Sequence, residues 1–284
     1  MTGDTNFAFV DAHVHFWDRQ TLPYPWLAEV PSIAGRHTPE ELHRETASHP
    51  PAQLLFVECG APWLDEVNWI ERLAAREPRL SGIVAHAMMN AGPATTSAIA
   101  ELRRHLLVRG VRHNIQDEKD PGFCLTPEFV SGVRQLGAAS LSFDLCCRHH
   151  QLPEVTELVR RCPGTRFILD HCGKPAIKAG LLDPWREHIR ALATLPNVDC
   201  KLSGLITEAD LATWTIEQLR PYVDHVLATF GSARLLFGGD WPVAKLAGAY
   251  PRWLGAARAL LAHLPATEQA AIFRDNAARV YRLN

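Results

Sequence analysis

Apolar and polar positions alternate along this chain on two length scales. Short runs rich in Val, Ile, Leu and Phe recur at residues 9–13, 54–58, 82–87, 108–112, 141–145, 166–170, 198–202 and 235–239. Between them lie stretches whose apolar residues return at helical spacing: 39–48, 63–76, 95–105, 127–136, 153–161, 184–194 and 216–230, with a last one over 250–282. The first pattern predicts buried strands and the second amphipathic helices. Pro and Gly mark nearly every junction, and several Pro stand where a first helical turn would begin. Near-continuous apolar strands alternating with helices predict a parallel sheet covered on both faces. Eight such units in 284 residues predict a single (β/α)8 TIM barrel domain over residues 1–284. The alternative is an open doubly wound sheet. No Gly-x-Gly-x-x-Gly follows the first run, which argues against a dinucleotide site. Residues 17–36, rich in Pro and aromatics, read as a long first loop near the mouth.

The apolar runs reach ionisable residues at or near their C-terminal ends. The first ends His13-Val14-His15 and the second at Glu58; the third carries His86, and the fourth ends Arg112-His113. The fifth carries Asp144, the sixth ends Asp170-His171, the seventh carries Lys201 and the eighth reaches Asp240. Such groups are costly inside a barrel unless paired or used. In a barrel these strand ends converge on one face, where active sites sit. His13 and His15 are two apart and point the same way from an extended chain, so neutral imidazoles there can ligate one cation. The plainer alternative is that the pair caps the strand and bonds Asp240. First and last strands are neighbours in a closed barrel, which brings Asp240 to the His pair. A carboxylate there can orient a water and take its proton. His171 can polarise a carbonyl or ligate metal, and Lys201 and Arg112 can hold an anion or a developing oxyanion. Trp17, Trp26 and Trp241 suit a sugar-binding mouth, although aromatics usually serve the core.

Composition narrows the partners. Lys and Arg number 29 against 31 Asp and Glu, a net charge of −2, which offers no electrostatic footprint for nucleic acid. No apolar run is long enough to cross a membrane, and the N-terminus lacks the basic and apolar regions of a signal peptide. Seven Cys without a Cys-x-x-Cys pair read as reduced, packed thiols. A cytoplasmic protein is expected.

The motifs Asp11-Ala12-His13-Val14-His15-Phe16-Trp17, Arg112-His113 with Gln116-Asp117-Glu118, Leu169-Asp170-His171 through Gly173-Lys174-Pro175, Cys200-Lys201-Leu202-Ser203-Gly204-Leu205 and Phe237-Gly238 through Asp240-Trp241-Pro242 resemble the amidohydrolase-related sugar lactonases. The resemblance covers almost the whole chain. It implies an amidohydrolase-type barrel that opens an aldonolactone, L-fucono-lactone or a related 6-deoxy or galactono-type lactone, to the aldonic acid. It also implies a site built from His13, His15, Glu58, Arg112, His113, His171 and Asp240. Their place on the chain puts His86, Lys201 and the three Trp toward the substrate. Strand four offers no bridging Lys, and strand five offers Asp144 and Cys146 where a His ligand would stand. One divalent ion, zinc, on His13, His15 or Glu58 with Asp240 is therefore the expected cofactor, and some lactonases of this type do without one. The expected mechanism has Asp240 deprotonating water, His171 and Arg112 stabilising the oxyanion and a nearby His protonating the leaving oxygen. No Gly-x-Ser-x-Gly elbow supports a Ser nucleophile. The alternatives are an L-rhamnonolactone or dicarboxylate lactone as substrate, a metal-dependent decarboxylase or amide hydrolase on the same barrel, and a non-catalytic sugar-acid binder.

Overall fold

The computed structural model describes residues 7–283. Eight strands follow one another around a sheet: β1 Val10–Val14, β2 Gln53–Val57, β3 Leu80–His86, β4 Val108–Arg112, β5 Ser142–Leu145, β6 Phe167–Leu169, β7 Val198–Leu202 and β8 Leu235–Phe237. Each pairs with the next in parallel. Beyond the end of β8 the chain closes the ring onto β1. Asp240 N donates to His13 O and His15 N to Trp241 O, both at 2.7 Å, and Val14 bridges Trp241 in parallel. The expected (β/α)8 barrel is the fold.

Helices follow the strands as the apolar periodicity requires. Pro stands in the first turn of the helices at Pro39–Glu45, Pro93–Leu102, Pro127–Ala138, Leu152–Arg161 and Tyr250–Leu261, where its missing N–H costs nothing. Residues 17–36 form the expected long loop, with two 3-10 turns at Pro25–Ala28 and Pro31–Ile33. The stretch expected as one helical region over 250–282 divides instead into Tyr250–Leu261, Ala266–Ala270 and Asn276–Tyr281, the last two joined by a π turn over Ala271–Asp275. Pro265 cannot continue the first helix.

The barrel interior is layered. Val10, Ala12, Leu55, Val57, Val84, Ile168 and Leu236 form an apolar floor, plugged by Ala277, Val280, Tyr281 and Leu283 of the C-terminal segment. Polar side chains sit above it. The β1–β2 register shifts between Asp11 and Val14, a stretch that contains His13. Irregularities of this kind recur beside active sites, where they re-aim a side chain.

Candidate active site

The polar layer begins with Lys201. Its side chain is fully buried, with Nζ 2.6 Å from Asp144 Oδ2, 3.0 Å from Asp170 Oδ1 and 3.3 Å from His13 Nδ1. Burial opposes the charge, but Asp144 and Asp170 outweigh it, so the ammonium is held more firmly than usual. Tyr281 also donates to Asp144 Oδ2, at 2.7 Å, which ties the plug to the polar layer. Burial pushes the Asp144 carboxyl up to about 6. Asp170 is buried too, yet Lys201 and His13 hold it well below the usual carboxylate range.

Asp170 passes the network to Arg112. Arg112 Nη1 lies 3.3 Å from Asp170 Oδ2, while Nε donates to Glu58 Oε1 at 2.6 Å and Nη2 to the Glu58 carbonyl at 2.7 Å. Gly60 N donates to Glu58 Oε2 at 2.9 Å. Glu58, expected among the metal ligands, is thus committed to Arg112 and a backbone N–H. Lys201, expected to touch substrate, lies beneath the site, where its two carboxylates keep it.

Four expected residues meet at the mouth. His13 Nε2 and His15 Nε2 are 3.2 Å apart, Asp240 Oδ1 is 3.8 Å from the first and 3.5 Å from the second, and the His171 ring centroid is 4.5 Å from that of His13. His15 Nδ1 faces the Val57 carbonyl at 2.8 Å. A carbonyl only accepts, so Nδ1 carries the proton and Nε2 presents a lone pair. His13 Nδ1 has a donor, Lys201, on one side and an acceptor, Asp170 Oδ1 at 3.4 Å, on the other, so either tautomer is served. Burial pushes the His13 imidazole well below its usual value and that of His171 down to about 4. Asp240 is buried as well, but His171, His15 and His13 hold its carboxyl below the usual range.

Local backbone geometry sets these groups in place. The sequence pattern extends β6 through Asp170, but the strand stops at Leu169. His171, Cys172, Gly173 and Lys174 then follow in the left-handed region, with φ of 53°, 52°, 70° and 48°. Non-glycine residues there cost roughly 1–2 kcal/mol each. The turn is held by Trp185 Nε1 on Cys172 O at 2.8 Å and by Ser203 Oγ against His171 Nδ1 at 2.9 Å. Gly204 has φ +61°, and a Cβ on it would overlap the His171 ring, so only glycine leaves that ring in place. Asp240 is itself left-handed, φ 53°. Strain of this kind concentrates at functional sites. Asp11, under the β1–β8 closure, accepts from Gly239 N, His13 N and Tyr250 OH at 2.7, 3.0 and 2.7 Å.

Other expected residues stand further out. His113 Nδ1 accepts from Met89 N at 3.0 Å, and its ring stacks on Phe129 with centroids 5.3 Å apart. Burial and His86, 5.6 Å away between ring centroids, push His113 down to about 4. Trp17 and Trp241, expected to line the mouth, are fully buried. Their indole N–H groups are spent on Ile33 O and Glu45 Oε2, at 3.1 and 2.9 Å. Trp26 is half-buried and donates to Cys59 O at 2.7 Å. All seven cysteines are buried and unpaired.

The donor set fits one metal ion. Tetrahedral bonds of about 2.0–2.1 Å place ligand atoms roughly 3.3 Å apart, and the His13, His15 and Asp240 donors are separated by 3.2, 3.5 and 3.8 Å. The Val57 carbonyl orients His15 from behind, as outer partners of metal-bound imidazoles do. A second group of donors, His13, Asp170 and His171, surrounds ground already faced by the Lys201 ammonium.

Over residues 10–283 the chain matches the amidohydrolase family. It belongs to that family. An L-fucono-1,5-lactonase of Burkholderia multivorans is 35% identical over 292 aligned positions, covering 96% of both chains. Another, of Burkholderia ambifaria, is 30% identical over 97% of this chain and 96% of that one. The crystal structure of a zinc-bound amidohydrolase from Burkholderia multivorans superposes with a TM-score of 0.90 at 33% identity, covering 98% of this chain and all of the other, 100%. The chain is a hydrolase of that family. Among the described residues no helix is long and apolar enough to cross a membrane.

Two charged groups on the segments after β6 and β7 stand outside the expected site. Lys174 ends the left-handed turn, and Glu208 ends the short helix Leu205–Glu208. The position of Lys174 three residues after His171 is a usable signal. Glu208 has none.

Proposed function

We propose that this chain hydrolyses a sugar lactone to its aldonic acid, with L-fucono-1,5-lactone or a related 6-deoxy or galactono-type lactone as substrate. The observation that carries the reading is the 35% identity, over 96% of both chains, to an L-fucono-1,5-lactonase. The geometry supports it. Asp240 stays ionised beside His13 and His15 and accepts a hydrogen bond from the attacking water, which aims its oxygen at the lactone carbonyl carbon. His171 is neutral near pH 7. With the Ser203 hydroxyl donating to Nδ1, its Nε2–H is free to polarise the carbonyl oxygen, as a neutral imidazole does elsewhere. The Arg112 guanidinium adds positive potential on the same side. As the water oxygen bonds to carbon, the ring C–O bond breaks and the water proton passes by way of Asp240 to the departing oxygen. A bound divalent ion on His13, His15 and Asp240 would supply Lewis-acid polarisation of the carbonyl. A positioned base and an electrophile each contribute about 10²–10⁴-fold, which suffices for an activated ester.

Acid release followed with a pH indicator across a panel of aldonolactones tests this. Saturable opening of L-fucono-1,5-lactone and its close stereochemical relatives is expected. Rates no higher than spontaneous hydrolysis across the panel, with turnover of an aromatic carboxylate or an amide instead, would overturn the reading.

A further inference from the structure

Lys174 is placed by the left-handed turn that follows His171, and its side chain is only 17% exposed. Among the described residues its ammonium has one ion-pair partner, Glu208 Oε1 at 3.9 Å, which is beyond hydrogen-bond reach. Glu208 and Asp240 are the carboxylates that compensate its charge, and Arg112 opposes it. Glu208, 22% exposed, answers to Lys174, Arg148 and Asp240. Both stand on the segments that follow β6 and β7, on the end of the barrel that carries His171 and Asp240. Each keeps hydrogen-bonding capacity that the described residues leave unspent, three N–H donors on one and carboxylate lone pairs on the other.

Half-buried polar groups with unspent capacity call for a ligand that supplies partners. A hydroxyl is both donor and acceptor. One placed about 2.9 Å from the ammonium and about 2.7 Å from the carboxylate spans their separation at close to a right angle. A bare anion would satisfy Lys174 and be repelled by Glu208, and an apolar group would satisfy neither. We infer that Lys174 and Glu208 form a specificity pair that reads a ring hydroxyl of the lactone, Lys174 donating to its oxygen and Glu208 accepting its proton. The inference rests on the lactonase reading above. It assigns recognition of the polyhydroxylated face to the loops after β6 and β7, while His13, His15, His171 and Asp240 address the ester.

The test is a selectivity ratio: kcat/KM for L-fucono-1,5-lactone over that for δ-valerolactone, which has the same ring without hydroxyls. Lys174→Met and Glu208→Gln are each expected to lower this ratio at least 10-fold, chiefly through the KM of the hydroxylated lactone, and Lys174→Arg to restore part of it. Ratios unchanged in both variants would overturn the inference. So would a fall in kcat for both lactones with KM preserved, which would put Lys174 on the reacting atoms. Should the wild-type chain open neither lactone, the lactonase reading fails on its own account, and calorimetric titration with L-fucose, which keeps a hydroxylated six-membered ring, then decides the pair. Affinity at least 10-fold weaker in both variants supports it, and equal affinity removes it.

Discussion

Asp240→Asn is expected to lower kcat for lactone opening about 10³-fold, within the range a positioned base contributes, with thermal stability close to wild type. Asn has the shape of Asp and tolerates the left-handed conformation that residue 240 adopts, φ 53°. The substitution therefore removes the charge and leaves the turn. It deletes the acceptor that lies 3.5 Å from His15 and 3.8 Å from His13, the only carboxylate in the His13–His15–Asp240 group. Steady-state kinetics beside a thermal melt separates the two effects. A kcat within a few-fold of wild type would remove Asp240 as the group that aims water.

The largest effect on stability is expected at Lys201. Lys201→Met keeps the length of the stem and deletes the ammonium, leaving Asp144 and Asp170 facing each other without their shared cation at 2.6 and 3.0 Å. Breaking a buried pair by removing one partner costs about 3–5 kcal/mol, roughly 10 °C in Tm for a chain of this size. Adding Asp144→Asn to Lys201→Met removes one orphaned charge and is expected to recover part of the loss. Arg112 still pairs with Asp170 Oδ2 at 3.3 Å, so the remaining carboxylate keeps one cation. Thermal melts of the single and double variants check this. A single variant as stable as wild type would show that the buried charges are not compensating one another as their distances imply.

The barrel was legible because its signal is periodic. Every strand and most helices follow from apolar spacing, and the convergence of His13, His15, His171 and Asp240 follows from their common place at strand ends. What periodicity cannot carry is depth and backbone hand. Lys201 and Arg112 look alike in sequence, each a cation within the last two positions of an apolar run. Yet one is fully buried beneath the site and the other reaches its edge, because Asp144 on β5 and Tyr281 from the far end of the chain fix the ammonium below. Trp17 and Trp241 stand next to site residues but are turned into the wall, where Ile33 and Glu45 supply acceptors for their indoles. The turn from His171 to Lys174 carries three left-handed non-glycine residues. That conformation is disfavoured locally and imposed by tertiary contacts, so no local propensity announces it. Glu208 lies at the end of a four-residue helix too short to show a face.

Single-turnover opening of L-fucono-1,5-lactone in ¹⁸O-labelled water tests most directly whether water is aimed at the ester carbon. Mass spectrometry of the product is expected to find the label in the new carboxylate from the first turnover, with the ring-derived hydroxyl and the protein unlabelled. Label in that hydroxyl, or an unlabelled acid whose new oxygen came from a protein side chain, would contradict the account.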